Sequence, residues 1–478
     1  MRTNHLSYIT DSGKVKVSRT EQEIRVIPLT GTKLGIMMVG LGGNNGTTFA
    51  AGIKAYQKNL TWENKHGKNK VEFLGSLSQV GSVHIGYDKL GKPHSKLFKE
   101  MSDMYDPGSI VVGGWDINNR DLYTAARAAQ VIPLPLLEQL REDLTSIVPL
   151  PSVFNQKFIA SNQSDRANNV LQLDGLREIV DTLSADIDAF KKTNELDKVI
   201  VMWTASTECF NTGEWATGDE LLTAIAENDP EVPPSILFAV AAIESGCIFI
   251  NGSPQNTLIP PVIDLARRHK TFVGGEDFKT GQTKLKSALV DWLVSSGIKP
   301  LSIVSYNHLG NNDGKNLSEE PQFKSKEITK KNVIDDVVEA NPVLFSDGHP
   351  DHTVVIKYVP AVQDSKRAMD EYYSKLFLDG RHTIVIHNTC EDSLLAVPIM
   401  LDIALFADLL TRVQVRENNK EFTHLNTVLS TLSFFFKAPT TNVGEPVINA
   451  FFKQRHGLEN FFRSIAGLPS LDHITLPL

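Results

Sequence analysis

Residues 34–56 read LGIMMVGLGGNNGTTFAAGIKAY, an apolar run followed by a glycine-rich turn and a helix-like segment. This is the layout of a β-strand, tight turn and α-helix that bind a dinucleotide, because glycines let the backbone approach a pyrophosphate and the helix N-terminus offers free N–H groups. The spacing of Gly40, Gly42 and Gly46 makes the loop one residue longer than the usual G-x-G-x-x-G. A glycine turn alone is weak evidence for a nucleotide site, so the neighbouring segments decide.

The length and composition limit the class of protein. A chain of 478 residues exceeds one ordinary core, so we expect two domains or one large domain with an insertion. Hydrophobic residues make up 41% and charged residues 22%, as in a well-packed globular protein. The net charge of −8 and the isoelectric point near 5.9 argue against nucleic acid or an anionic membrane as a partner. An anionic substrate would therefore need a local cluster of basic side chains.

The cysteines and the N-terminal sequence indicate a compartment. Cys209, Cys247 and Cys390 are scattered without a CxxC pair, which predicts reducing surroundings and neither a disulfide framework nor a zinc site. The sequence MRTNHLSYITDSGKVKV lacks the apolar segment of a secretion signal, and no apolar stretch of about 18 residues is evident elsewhere. We therefore expect a cytoplasmic protein without a metal site or a membrane partner.

Apolar runs alternate with amphipathic segments after a polar N-terminal arm, residues 1–33, in which few strands are expected. The strand-like runs of residues 34–283 are LGIMMVG, VEFLGSL, SIVVGGWD, KVIVMWTAS, CIFINGS and KTFVGGED. Helix-like segments lie between them, among them RDLYTAARAAQ, LDGLREIVDTLSADIDAFKK and TLIPPVIDLARRH. Continuous apolar strands separated by helices indicate a parallel sheet that is covered on both faces. Residues 34–283 are therefore predicted to form a doubly wound, Rossmann-like α/β domain.

The pattern changes near residue 300. SIVSYNHLGNN, HTVVIKYVPAV and HTIVIHNTCED alternate apolar and polar residues, as strands of a half-exposed sheet do. SKEITKKNVIDDVVEAN and SKRAMDEYYSKLF are predicted to be helices between these strands. We interpret residues 284–393 as an inserted α+β domain. Residues 394–478, which open with LLAVPIMLDIALFADLLTRVQ, are interpreted as a helical return to the first domain.

Polar residues follow almost every predicted strand of the first domain, at the edge where ligands gather in open α/β sheets. The candidates are Asp116, Thr204, Thr207, Asn251, Gly252, Ser253, Glu276 and Asp277. Each one alone is more simply a turn residue, but so many at one sheet edge favour a ligand site. No acidic residue follows VEFLGSLSQ at the usual ribose-binding position, so Asp116 is the candidate for that role.

Lysines form a second group of candidates. Lys326 and Lys330 are four residues apart in FKSKEITKK and share a helix face, where like charges cost a helix about 0.2–0.5 kcal/mol. An anion bound between them would reverse that sign. Lys366 is predicted to open the helix after VVIKYVP. Lys437 follows three phenylalanines, which predicts desolvation and a lowered pKa suited to proton transfer.

Acidic residues near these lysines are candidates to orient them. Asp313 in SYNHLGNNDG and Asp392 in HNTCEDS each end a predicted strand. A solvated helix surface remains the simpler interpretation of any single lysine, and His308 and His387 are more simply structural. The sequence contains no HExxH motif, no paired His and Cys ligands and no evident Ser-His-Asp set.

Ten strings of this sequence resemble those of the myo-inositol-1-phosphate synthase family and follow in the same order between about residues 34 and 468. They are GLGGNNGTT, GWDINN, FIASNQSDRANN, NGSPQNT, FKTGQTKLKS, SIVSYNHLGNNDG, SKEITK, DSKRAMDEYY, NTCEDSLLA and FKAP. The chain is more similar to the longer, eukaryotic-type members. It departs from the family pattern at TASTECF, at GGED and at Thr280, where serine is usual.

The resemblance implies conversion of D-glucose 6-phosphate to 1D-myo-inositol 3-phosphate on tightly held NAD, the first step of inositol biosynthesis and a supply for phospholipids. The implied steps are oxidation at C5, enolisation, aldol closure between C6 and C1, and re-reduction at C5. Several lysines would stabilise the oxyanions that form beside the phosphate and would transfer the protons. With ammonium groups in that role, no metal is required.

The matching motifs also imply residue roles. The implied catalytic residues are Lys326, Lys366, Lys437, Asp277 and Lys330, the last of which would hold the phosphate. The implied NAD-binding residues are Gly42, Gly43, Asn44, Asn45, Asp116, Ser152, Thr204, Ala205, Gly252, Ser253, Asp277, Thr280, Asn311, Asn312, Asp313, Asp364, Asp392 and Ser393.

Two other functions stay open on the sequence. A simple dehydrogenase or epimerase that releases NADH would not require so many basic residues. A catalytically dead NAD-binding regulator would not require every matched lysine and aspartate to be present. The resemblance further implies a homotetramer that is built through the sheet of the inserted domain, where catalysis is also placed.

Overall fold

The computed structural model of the chain describes residues 2–9, 14–346, 348–417 and 420–471. The strands are β1 (Arg2–Ile9), β2 (Val15–Val26), β3 (Leu34–Val39), β4 (Thr61–Asn64), β5 (Gly67–Lys70), β6 (Ser82–Tyr87), β7 (Pro93–Leu97), β8 (Ile110–Asp116), β9 (Leu150–Pro151), β10 (Lys198–Trp203), β11 (Ile248–Asn251), β12 (Val273–Gly274), β13 (Lys299–Leu309), β14 (Asp351–Tyr358), β15 (Ser365–Lys375), β16 (Arg381–Glu391), β17 (Val413–Glu417) and β18 (Thr423–His424).

The helices are α1 (Asn44–Gln57), α2 (Leu77–Val80), α3 (Leu122–Ala129), α4 (Leu134–Gln139), α5 (Arg141–Thr145), α6 (Leu176–Thr193), α7 (Gly218–Ala226), α8 (Pro234–Glu244), α9 (Pro260–Arg268), α10 (Gly281–Ser295), α11 (Asn312–Asn316), α12 (Glu320–Lys331), α13 (Asp335–Glu339), α14 (Asp392–Thr411) and α15 (Phe451–Ile465).

A parallel sheet in the order β12-β11-β10-β3-β8-β9 forms the centre of the fold. Its inner strand β3 is the run LGIMMV, and the side chains of this run are buried. Ile36 and Met38 join an apolar cluster with α1 and α14, whereas Met37 and Val39 join a second cluster with α6 and α8 on the other face. Helices therefore cover both faces of the sheet, which confirms the predicted doubly wound, Rossmann-like α/β fold.

The run VEFLGSL, predicted as a strand of this sheet, does not form one. Residues 71–76 lead from β5 into α2, and Phe73 and Gly75 take positive φ angles of 49° and 93°. An extended strand cannot pass through such left-handed residues. At the edge of the sheet beyond β8, the last strand is instead β9, which pairs in parallel with β8.

A second sheet, in the order β14-β13-β15-β16, lies within residues 299–391. β13 runs parallel to β14, while β15 runs antiparallel to both β13 and β16. Side chains of β13 and β15 share an apolar cluster with α10 and α13, so helices cover one face of this sheet. The predicted boundary of the inserted domain at residue 284 falls inside α10, and the other boundary falls at the start of α14. The domain limits stay a prediction.

The segment SKRAMDEYYSK was predicted to be helical, but it forms strand β15. Lys366, Ala368, Asp370, Tyr372 and Ser374 are buried, and most of the residues between them are exposed. This period of two belongs to a strand, although Lys, Arg, Ala, Met and Glu favour helices locally. Pairing with β13 and β16 on both sides outweighs that local preference, and it turns Lys366 inward.

The N-terminal arm was expected to have few strands, and this expectation was wrong. β1 pairs with β2, and β2 pairs with β17, in a sheet of order β1-β2-β17-β18. Ile24 and Val26 of β2 pack against the main core, and Val26 lies opposite Val413. The partner strand β17 is far along the chain, in the segment that was predicted to be a helical return to the first domain.

Helix α14 corrects the expectation that no membrane-length apolar stretch exists. By length and composition it is able to cross a membrane, with a mean hydropathy of 2.0, and in the described part of the chain it alone meets that test. However, 78% of its most apolar window is buried inside the protein, where it contacts α1. Its composition fits a core helix of the central domain.

Candidate active site

A cavity opens beyond the carboxyl ends of β3, β8, β10 and β11. Most of the residues predicted from the sequence line it together. These are Gly43, Asn44, Asn45, Asp116, Ser152, Thr204, Ala205, Gly252, Ser253, Asp277, Thr280, Asn311, Asn312, Asp313, Lys326, Lys366, Asp392, Ser393 and Lys437. Gly42, Asp364 and Lys330 do not line the cavity and instead contact or surround residues that do.

The glycine loop has the shape that a dinucleotide phosphate needs. Gly40 has a φ angle of +92°, and a Cβ atom there would lie 2.7 Å from the backbone of Ala205. A Cβ atom on Gly46 would lie 2.3 Å from the carbonyl oxygen of Leu41. Helix α1 begins after Gly43, and no side chain caps it. Its first N–H groups are therefore available to an anion, so the loop fits the pyrophosphate of NAD.

Asp116 holds this loop in place. Its Oδ2 accepts from the N–H of Gly42 at 2.9 Å, and its Oδ1 accepts from the N–H of Asn118 at 2.9 Å. Burial raises the pKa of Asp116, against the opposing charge of Arg166, whose guanidinium lies 3.6 Å away. The role of Asp116 at a ribose stays a prediction. Arg166 also lines the cavity and was not singled out from the sequence, although it lies within the quoted string FIASNQSDRANN.

Replacing Gly42 with valine is expected to abolish tight NAD binding. A Cβ atom at this position would already lie 3.2 Å from the carboxylate of Asp116, so a branched side chain forces the loop and the carboxylate apart. Titration calorimetry with NAD measures the effect. Gly52→Val is the matched control, because Gly52 lies in the helix that follows the loop and a Cβ atom there meets nothing within 4 Å. If Gly42→Val binds NAD as tightly as the unaltered protein, the assignment of the loop is wrong.

Asp364 joins the glycine loop to the second sheet. Its Oδ1 accepts from Asn44 Nδ2 at 2.9 Å and from Ser393 Oγ at 3.0 Å, and its Oδ2 accepts from the N–H of Ser393 at 2.9 Å. Elsewhere in the lining of the cavity, Asp313 Oδ1 accepts from the N–H of Thr207 at 3.0 Å. Residues from both sheets therefore meet at the same cavity, which requires the two sheets to be folded against each other.

Asp277 is the centre of the lysine cluster. Its Oδ1 accepts from Lys437 Nζ at 2.7 Å and from Lys326 Nζ at 3.1 Å, and its Oδ2 accepts from Thr329 Oγ1 at 2.7 Å. Burial raises the pKa of Asp277, but the charges of the two lysines outweigh it and hold that pKa well below the usual range. Thr329 was not identified from the sequence. It lies one helical turn after Lys326 on α12, so helical spacing was the available signal.

The pKa values of the two lysines that donate to Asp277 are shifted in opposite directions. Burial lowers the pKa of Lys437 to about 7 in spite of Asp277. Burial also acts to lower the pKa of Lys326, but Asp277 and Asp313 outweigh it and raise that pKa above its ordinary value. At neutral pH, Lys437 is therefore available in both protonation states, whereas Lys326 stays charged.

Lys366 and Asp392 form a second pair in the same cavity. Lys366 Nζ donates to Asp392 Oδ1 at 3.1 Å, and the lysine side chain is 8% exposed. Burial raises the pKa of Asp392, but the charge of Lys366 outweighs it and lowers that pKa overall. The pair lies where β15 and the start of α14 come together, so it depends on the strand that the sequence pattern did not predict.

Lys330 lies behind these groups and is 7% exposed. Burial lowers its pKa well below the ordinary value, and the charges of Lys366, Lys286, Lys437 and Lys326 lower it further. Within the described ranges, no carboxylate lies within ion-pair distance of Lys330. A dianion placed here would meet several positive charges, which is the setting that the predicted phosphate site requires.

Comparisons with known proteins identify the family of this chain. A family model described as myo-inositol-1-phosphate synthase, with an NAD-binding domain, matches residues 34–463. The chain belongs to the myo-inositol-1-phosphate synthase family. It is therefore an NAD-binding protein, and the cavity supplies the glycine loop that this cofactor requires. Within the described residues, no group of three or more His, Cys, Asp or Glu side chains is arranged to hold a metal ion.

Relatives and solved structures cover nearly all of the chain. Inositol-3-phosphate synthase 1-B of Xenopus laevis is 52% identical over 93% of this chain and 79% of its own length. Inositol-3-phosphate synthase 1 of Homo sapiens is 50% identical over 93% of this chain and 80% of its own length. The crystal structure of the inositol-3-phosphate synthase of Caenorhabditis elegans has a TM-score of 0.94 at 48% identity, over 98% of this chain and 92% of that one.

Proposed function

We propose that the Asp277 cluster (Asp277, Lys326 and Lys437) and the Lys366–Asp392 pair carry out the proton transfers in this enzyme's reaction. That reaction is the NAD-dependent conversion of D-glucose 6-phosphate to 1D-myo-inositol 3-phosphate, the first step of inositol biosynthesis. One observation supports these roles above the others. Two lysines whose pKa values are shifted in opposite directions donate to the same carboxylate oxygen, inside the cavity that contains the glycine loop.

The cofactor has a place in this cavity. Bound NAD supplies the acceptor for the hydride of C5 and later the hydride that returns to C5. The loop 40–46 and the N-terminus of α1 would hold its pyrophosphate, and Asp116 with Arg166 would border a ribose. The side chains of the protein must then transfer the protons and stabilise the oxyanions.

Lys437 is suited to exchange the proton of the C5 hydroxyl. Its uncharged amine accepts this proton as the hydride leaves C5, and its ammonium returns the proton to the same oxygen when C5 is reduced again. Lys326, which stays charged beside Asp277, stabilises negative charge on that oxygen in between. Asp277 keeps both nitrogens in place through a single oxygen atom.

Lys366 is suited to the carbon–carbon bond-forming step. Enolisation removes a proton from C6, and closure of the ring forms the C6–C1 bond and leaves an alkoxide on the oxygen of C1. Lys366 takes up the proton that leaves C6 and delivers it to that oxygen, and Asp392 Oδ1 accepts from its nitrogen at 3.1 Å and so fixes its direction. The proton lost from C6 is matched by the proton gained by the oxygen of C1, and the hydride removed from C5 returns to C5. The whole reaction therefore consumes and releases no net proton and no net hydride.

A turnover assay tests the function. Glucose 6-phosphate is mixed with the enzyme and with NAD in an amount far below that of the substrate. The expected product is inositol phosphate, many equivalents per NAD, with no net NADH. Accumulation of NADH in proportion to substrate would indicate a dehydrogenase, and no change in either compound would indicate a regulatory NAD-binding protein.

Lys330→Ala and Lys326→Ala are expected to affect different kinetic constants. Lys330 is proposed to hold the substrate phosphate in both the ground state and the transition state, so its loss mainly raises KM, by about 10-fold or more. Lys326 stabilises charge that develops only during reaction, so its loss mainly lowers kcat, by about 10²–10³-fold. Steady-state kinetics measures both.

The matched control for this pair is Lys331→Ala. Lys331 follows Lys330 on the same helix, but it is partly exposed and pairs with Glu327 at 2.8 Å. Its loss is expected to change neither constant by more than about twofold. Small and equal effects of Lys326→Ala and Lys330→Ala would support the simpler interpretation of these lysines as a helix surface.

The rate of NADH formation in a single turnover is expected to rise with pH through about 7. Below that pH, Lys437 is protonated and cannot accept the proton of the C5 hydroxyl, since burial lowers its pKa to about 7. Asp277 raises this pKa, whereas Lys326 and Lys366 lower it. The other charged groups that interact with Lys437 are Lys279, Lys330 and Asp392.

Asp277→Asn checks the sign of this pH dependence. The substitution removes the negative charge that raises the pKa of Lys437, so the rising limb is expected to move to lower pH. The rate at the plateau also falls, because the carboxylate that holds Lys326 and Lys437 is lost. If the pH at which the rate of NADH formation rises stays the same or moves higher, the assignment of this rise to Lys437 is contradicted.

We further propose a homotetramer that assembles through the second sheet. Tyr306, Met369 and Val385 on the outer side of this sheet are 55%, 52% and 61% exposed. β16 is the last strand in the sheet order and is 11 residues long. Long exposed edges and apolar surface favour association. Light scattering is expected to give the mass of four chains, and Met369→Lys combined with Val385→Lys is expected to give a smaller species.

We also propose that the enzyme works in the cytoplasm. Cys209, Cys247 and Cys390 are free thiols, as is usual in a reducing compartment. Fractionation of cells that express the protein, followed by detection of the chain in each fraction, tests this placement.

A further inference from the structure

Lys279 is a buried lysine that the proposed mechanism does not use. None of its surface is exposed, and it lies two residues after Asp277. Its Nζ donates to the backbone oxygen of Asn449 at 3.0 Å, to Asn449 Oδ1 at 3.2 Å and to Gln454 Oε1 at 3.0 Å. These acceptors match the three N–H bonds of an ammonium group, yet all of them are uncharged. Because burial among neutral acceptors disfavours the charge, the pKa of Lys279 is lowered to about 7, and the three bonds are what fix its nitrogen.

Asn449 connects Lys279 to the backbone of Lys437. The side-chain oxygen of Asn449 accepts from Lys279, and its Nδ2 donates to the carbonyl oxygen of Lys437 at 3.1 Å. Asn449 is 1% exposed, so water does not compete for this bridge. The amide group of Asn449 therefore links the nitrogen of Lys279 to the backbone of Lys437.

The backbones on either side are joined as well. The N–H of Lys279 donates to the carbonyl oxygen of Phe435 at 2.8 Å, and the N–H of Lys437 donates to the carbonyl oxygen of Asp277 at 2.8 Å. Phe278 and Phe436 lie opposite each other in an antiparallel bridge. In this short ladder, Asp277 and Lys437 both line the cavity, while Lys279 is bound to residues that do not line it. The segment before α15 is thereby attached to the back of the Asp277 cluster.

We propose that Lys279 is a positioning residue for Lys437, which it acts on through Asn449. This inference rests on the proposed role of Lys437 in proton transfer. The bridge fixes the backbone from which the Lys437 side chain reaches Asp277, so the nitrogen is held where it meets the C5 hydroxyl. A displacement of a reacting group by about 1 Å costs roughly 10²-fold in rate.

Three variants of the full-length enzyme test this inference. In Lys279→Met and in Asn449→Leu, kcat and the single-turnover rate of NADH formation are expected to fall together by about 10²-fold. KM for glucose 6-phosphate is expected to stay within about twofold, because the phosphate site is untouched. Lys284→Met is the matched control. This lysine lies on the same stretch of chain, with its Nζ 4.1 Å from the centre of the Phe434 ring. Both rates are expected to stay within about twofold in that variant.

The outcomes separate the inference from the function on which it rests. If Lys279→Met or Asn449→Leu lowers the melting temperature but leaves kcat and NADH formation as in the unaltered enzyme, Lys279 is only structural and the inference is overturned. Asn449→Leu keeps two of the three acceptors of Lys279, so it decides the matter alone if Lys279→Met does not fold. If Lys437→Ala, measured in the same assay, reduces NAD normally, the proposed role of Lys437 in proton transfer itself fails.

Discussion

Lys437→Ala is expected to bind NAD and to form no NADH when glucose 6-phosphate is added. The C5 hydroxyl must lose its proton as the hydride leaves, and Lys437, with its pKa lowered by burial to about 7, is the proposed acceptor. Removing a positioned general base costs about 10²–10⁴-fold in rate. The absorbance of bound NADH in a single turnover measures this step directly.

The variant should remain folded, because Asp277 keeps its bonds to Lys326 and to Thr329 after Lys437 is removed. NAD binding and the melting temperature are the controls for this. Lys284→Ala, which removes a lysine that does not line the cavity, should form NADH at the normal rate. NADH formation at the normal rate in Lys437→Ala would remove this residue from the oxidation step.

Lys366→Ala is expected to behave differently: it reduces bound NAD and then stops at a keto intermediate. Oxidation at C5 does not need Lys366 in the proposed mechanism, whereas the oxygen of C1 cannot take up its proton without it. The loss of one group that stabilises an oxyanion costs about 10²–10³-fold, so inositol phosphate should form at least that much more slowly. Bound NADH should persist over the same time.

The two variants together assign the order of the chemistry. If Lys437→Ala accumulates NADH and Lys366→Ala does not, the two roles are reversed. If neither variant alters any step, the lysine cluster is not the active site and the mechanism fails. Quenching the reaction and identifying the sugar phosphate as a 5-keto compound distinguishes a stalled intermediate from inhibited binding.

Several features of the site could be predicted because they are local. Lys326 and Lys330 share a helix, as their spacing indicates, and Lys437 is desolvated, as the adjoining phenylalanines indicate. The glycine spacing led to the loop at residues 40–46, and the polar ends of the predicted strands led to Asp116 and Asp277; the resemblance added their implied roles. Few of the contacts themselves were predictable, because the partners are far apart in the chain. Lys437 and Asp277 are separated by 160 residues, and Gly42 and Asp116 by 74.

The sequence by itself determined the inner strands of the central sheet. A strand that is buried on both faces, such as β3, is apolar throughout, so a run of consecutive apolar residues is enough to predict it. The same holds for the glycine turn, because Gly40 and Gly46 stand where a Cβ atom would collide with the neighbouring backbone.

Only the tertiary structure decided the rest. β15 has a helix-like composition, yet it becomes a strand because β13 and β16 pair with it on both sides. β2 lies in a polar arm, and it becomes ordered by pairing with β17, almost 400 residues later. The charge states of Lys437 and Lys326 differ because of burial and of the carboxylates that surround each nitrogen. These properties depend on non-local contacts, and the pattern of neighbouring residues does not encode them.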